Sequence, residues 1–93
     1  MTTVDKFDNY ILTRESYGTW RITNDVNPRG NALIDVRKSE NWKTGEVKTE
    51  VTVNVVSTGP VGPDEAAEVA EEIMRATRAA KYFSGVIEMY ESK

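Results

Sequence analysis

Residues 46–56 read EVKTEVTVNVV, and no other stretch narrows the choice of fold so sharply. Val47, Thr49, Val51, Val53 and Val55 fall on one side of an extended chain, with Lys48, Glu50, Thr52 and Asn54 on the other. A period of two with β-branched residues on the apolar side predicts a strand with one buried face. Such a face must be covered, so the remaining residues have to supply both pairing strands and a second layer.

Two weaker runs can pair with it. Residues 31–37 set Ala32, Ile34 and Val36 against Leu33, Asp35 and Arg37; residues 17–24 set Trp20 and Ile22 against Thr19, Arg21 and Thr23. Turn signals separate these strands: Pro28, Arg29 and Gly30 in one gap, Gly45 in the other. Residues 9–14 predict a fourth strand that turns back at 15–18. Phe7, Tyr10 and Ile11 also match helical spacing, which leaves 5–14 open between strand and helix.

From Pro63 the period changes. At about 100° per residue, Ala66, Val69, Ala70, Ile73, Thr77, Ala80 and Ser84 share one face, and Asp64, Glu68, Glu71, Glu72, Arg75 and Arg78 the other. The pattern predicts a helix over 63–84, or to 90 if Gly85 neither stops nor bends it. Its small-residue stripe would lie close to a sheet. The expected architecture is α+β: one domain over residues 1–93, an antiparallel meander of three or four strands with one long C-terminal helix packed on one face.

The junction STGPVGPDEAAEV, residues 57–69, passes from strand through two glycines to a helix start, an order that can cradle a phosphate. The residues oppose that reading. Pro63 has no N–H to offer, and Asp64, Glu65 and Glu68 already complement the positive end of the helix, where they would repel an anion. Gly62 reads as the N-cap and Pro63 as the first helical residue.

Composition then limits the chemistry. The chain has neither cysteine nor histidine, which removes disulfides, thiolate metal sites, the commonest metal ligand and the usual general base near neutral pH. The net charge of −3 arises wholly after residue 59, where seven acidic side chains face four basic ones; before it, eight balance eight. No general attraction for phosphate backbones follows. Glu68 and Glu72, four apart, could share a divalent cation, but such ions want more oxygens than one helix face presents, and the cluster reads as a solvated acidic face. No enzyme, metal or cofactor is expected. Apolar runs reach only about three residues against the ~20 that span a bilayer, and TTVDKFDN lacks a signal peptide's basic head and apolar middle. A cytoplasmic location and no membrane partner are expected.

What remains is binding. Trp42 lies among polar turn residues, where it either folds back over the end of the sheet, the reading preferred here, or stands as an anchor for a partner. Arg29 sits at a turn tip. Residues 82–90, YFSGVIEMY, concentrate Tyr82, Phe83, Val86, Ile87, Met89 and Tyr90 in directions that one helix cannot bury against one sheet. Some of them should pack on the N-terminal segment or on another chain. The expected function is a small protein-binding module, a homodimer or an accessory or inhibitory protein acting on a larger partner, of a kind common on base rates among phage and mobile-element proteins. The alternative is nucleic-acid binding through aromatic and basic residues of the sheet, among them Tyr17, Trp20, Arg21, Arg37, Lys38, Trp42, Lys43 and Lys48. Trp20 shares its face with Ile22, so core is the simpler reading for it.

Overall fold

The alternation of residues 47–55 forms β5 (Val47–Val55), the last of five strands among the described residues. Before it come β1 (Thr2–Phe7), β2 (Tyr10–Arg14), β3 (Trp20–Asn24) and β4 (Ala32–Glu40), and after it the helix α1 (Pro63–Glu91). The computed structural model describes residues 1–16, 18–28, 30–56 and 59–92. β1, β2 and β3 make one antiparallel sheet in that order, β4 and β5 a second, and β3 lies alongside β4. The fold is therefore α+β, a meander in chain order with the helix across one face, built from five strands.

Ala32, Ile34, Tyr10, Leu12, Trp20 and Ile22 line the covered face, and α1 closes the core with Ala76, Ala79, Ala80, Phe83 and Ile87. Val51 and Val53 pack against this cluster from β5, as the alternation requires. The helix starts as its residues dictate: Gly62 is the extended N-cap, Pro63 follows it, and the Ala66 N–H donates to the Gly62 carbonyl at 2.9 Å. It runs unbroken through Gly85 to Glu91. Glycine there costs about 1 kcal/mol relative to alanine, and burial of Phe83 and Ile87 on either side outweighs that.

The buried face of α1 lies about a quarter turn from the small-residue stripe. Ala66, Ala70 and Ser84 are exposed, whereas Phe83 is wholly interior. Burying one aromatic and one isoleucine gains several times what burying alanines does, so the large side chains set the rotation. Residues 63–68 are exposed all round, which leaves the alanine nearest the start, Ala66, without bearing on the core.

Residues 2–7 form a strand that the pattern of the sequence did not predict. Its pairing with β2 shifts between Thr3 and Asp5, a bulge that lets both Val4 and Phe7 reach the core while breaking simple alternation. The open question over 5–14 resolves into two strands joined at Asp8 and Asn9, with Asp8 at a φ of 53°.

One polar anchor ties the helix to the β3–β4 connection. The Asn31 backbone N–H donates to Glu72 Oε1 at 2.9 Å, and Asn31 Nδ2 to Oε2 at 3.3 Å. The Glu72 carboxylate fills the space where a side chain on Gly30 would begin, so a larger residue there would have to displace the carboxylate from its bonds to Asn31. The reading of Glu72 as part of a solvated acidic face is thus corrected: it is half-buried and bonded to the loop.

Candidate protein-interaction surface

β5 pairs with β4 through nine consecutive residue pairs, from Ala32–Val55 to Glu40–Val47, with no bulge. On its other side no strand pairs with it among the described residues. Two hydrogen bonds fix which backbone groups are spent. The Val56 N–H donates to the Asn31 carbonyl at 2.7 Å, and the Asn41 N–H to the Glu46 carbonyl at 2.8 Å, both on the β4–β5 register. Hydrogen-bonded pairs alternate in an antiparallel ladder. Even-numbered residues of β5 therefore turn their N–H and C=O groups to β4, and Val47, Thr49, Val51, Val53 and Val55 turn theirs to the open side.

Beside this edge runs a groove of about 460 Å³ between β5 and the last turns of α1, lined among others by Val47, Thr49, Val51, Ser84, Ile87 and Glu88. The strand's two terminal valines are the exposed ones, Val47 at 59 % and Val55 at 53 %. Lys38 and Glu91 pair at 3.9 Å near the groove's end, and side chains this exposed contribute little to stability.

The predicted binding residues divide. Tyr82 is partly exposed, stacks on Phe7 with ring centroids 5.0 Å apart, and donates its hydroxyl to Asp5 at 2.6 Å. That hydrogen bond, followed by desolvation and the Asp5 charge, raises the phenol above its ordinary value. Phe83 is core, edge-on to Phe7 at 6.5 Å, and so offers no partner surface. Val86 is half-buried against the same core. Tyr90 meets Trp20 edge-on at 5.7 Å, and Met89 is exposed. Within the chain, Tyr82 and Phe83 thus pack on β1 and Tyr90 on β3, while Met89 is left exposed. Trp42 does not fold back. It is 84 % exposed at the tip of the β4–β5 hairpin, with Lys43 Nζ 5.4 Å from its ring centre, because the turn that Gly45 closes (φ 72°) carries it beyond the covered face. Arg29 lies outside the described residues.

The aromatic and basic set of the alternative reading is not brought together. Trp20 is buried beneath the Arg14 guanidinium at 4.9 Å, while Arg21 alternates to the other face and pairs with Glu15 at 3.2 Å. Arg37 stands opposite Glu50. Tyr17 is outside the described residues. No cluster of three or more metal-ligating residues occurs among the described residues, and no helix there is long and apolar enough to cross a membrane.

The open edge and its groove were missed at the level of sequence. The polar positions Lys48, Glu50, Thr52 and Asn54 announce one solvent face, but which strand ends a sheet depends on pairing order, which no local pattern carries. No family model, curated protein or solved structure gives a significant match to the chain.

Proposed function

We propose that this chain is a non-catalytic protein-binding module that takes up an extended backbone along β5. The observation that carries the reading is the parity of the β4–β5 ladder, which leaves alternate N–H and C=O groups from Val47 to Val55 facing outward beside a groove of mixed character, apolar at Val47, Val51 and Ile87 and charged at Glu46, Lys48, Glu88 and Glu91. Strand addition of this kind draws affinity from main-chain hydrogen bonds and specificity from pockets for alternate side chains. The groove under Val47, Thr49 and Val51 supplies such a pocket, and exposed Trp42 extends the surface at the hairpin tip. The absence of cysteine and histidine supports a role in binding rather than bond-making.

The test compares wild-type protein with Thr49→Pro as baits, identifies any captured protein by mass, and re-measures binding with that partner purified. Affinity that is lost in Thr49→Pro and nearly flat from low to moderate salt is the expected result. Binding confined to oligonucleotides, falling steeply with salt, would instead establish the nucleic-acid reading.

A further inference from the structure

We infer that the extended backbone taken up by β5 is β5 of a second copy, so that the chain forms a two-fold dimer with the sheet order β4–β5–β5′–β4′. This rests on the reading of β5 as the binding edge and names its occupant. Antiparallel self-pairing must match outward-facing residues with outward-facing residues, so odd positions meet odd positions. One such register, centred on Val51, uses the whole strand. It sets Val47 opposite Val55′, Thr49 opposite Val53′, and Val51 opposite Val51′ on the helix side. On the solvent side it sets Lys48 opposite Asn54′ and Glu50 opposite Thr52′.

Three features of the strand favour that occupant. The two exposed valines, Val47 and Val55, lie at opposite ends of β5, and this register brings each against the other's copy. No two like charges stand opposite each other, a juxtaposition that destabilises a sheet pair. Five outward positions on each strand form five hydrogen-bonded pairs, or about ten main-chain bonds, which is what a typical interface carries. The flank of α1 beside the groove is compatible as well. Ser84 lines the groove with Glu88 and Glu91 beside it, and Thr77 and Ala70, at heptad spacing on the side of Ser84, leave room for a second helix towards the N-terminal half of α1.

Sedimentation equilibrium over a wide concentration range tests the proposal, with disulfide trapping to test the register. The wild-type chain should rise in mass from one copy towards two, and Thr49→Pro, whose missing N–H faces the open side, should remain a monomer. Because Thr49→Pro could also perturb the monomer, a second pair of variants uses only exposed positions. Glu50→Cys/Thr52→Cys should link covalently on mild oxidation, since a non-hydrogen-bonded pair brings Cα atoms to about 4.5 Å, within disulfide reach. Lys48→Cys/Glu50→Cys should not, because it matches a register centred on Thr49. A wild-type monomer at every concentration overturns the self-pairing while leaving the edge free for a different protein. A dimer that survives Thr49→Pro and is not trapped by Glu50→Cys/Thr52→Cys overturns both the self-pairing and the choice of β5 as the binding edge. Trapping by the Lys48→Cys/Glu50→Cys variant alone overturns the register.

Discussion

The two outer strands of this molecule are built by opposite rules. β1 is six residues long, bulged between Thr3 and Asp5, and turns the Asp5 carboxylate towards the helix, whereas the two charges of β5, Lys48 and Glu50, lie on its solvent face. It is also pinned to the helix, through Phe7 on Tyr82 and Phe83 and through the Tyr82 hydroxyl on Asp5. Short length, bulges and inward-pointing charges are the devices by which sheet edges avoid pairing with other chains. β5 has nine residues in unbroken register, no bulge and no proline, and a β-branched residue, valine or Thr49, at each alternate position. The proposed pairing therefore falls on the edge that the chain leaves regular and open, not on the one it protects.

The largest expected effect tests the pinned side. Phe83→Ala should cost about 3–5 kcal/mol of stability in denaturant titration, since it empties the centre of the aromatic contact that holds β1 to α1. A loss under about 1 kcal/mol would mean that β1 is held in some other way. The next test sharpens the account of the open side through parity. Glu50→Pro removes a bond to β4 and should destabilise the monomer by about 2–3 kcal/mol. Thr49→Pro, one residue away, should cost about 1 kcal/mol in the monomer yet remove association, because proline is tolerated where an edge N–H faces solvent. Equal losses of stability would show that the parity is misassigned. The smallest effect is Tyr82→Phe, read as a pH dependence. The folded phenol has a raised pKa, so its contribution is complete below the unfolded value near 10 and is lost as pH rises through the folded one. Wild type and Tyr82→Phe should therefore differ slightly in melting temperature at neutral pH and converge in strong alkali.

How far the sequence revealed this arrangement depended on how local the cause was. β5 follows from the alternation of 47–55, the helix start from Gly62 and Pro63, and the core position of Trp20 from its neighbour Ile22. Each is decided by adjacent residues. β1 escaped because its bulge breaks the period that would have shown it, placing Val4 and Phe7 on the core across an odd spacing. The rotation of α1 departs from the small-residue stripe because Phe83 and Ile87, which lie outside that stripe, bury more area than Ala66 and Ala70 could, and burial energy scales with area. Trp42 reads from its sequence neighbours as folding back over the end of the sheet, whereas the Gly45 turn points it outward. The candidate site was the least legible part. An open edge is a property of strand order, and the small-residue flank of the helix became meaningful only once it was seen to lie beside β5.

Amide hydrogen exchange resolved by residue along β5, at low and at high protein concentration, tests the central claim most directly. Lys48, Glu50, Thr52 and Asn54 should be protected under both conditions, whereas Thr49, Val51 and Val53 should exchange freely in dilute solution and become protected as the concentration rises. Protection of Thr49, Val51 and Val53 in a dilute monomer, or free exchange at every concentration, would contradict the account.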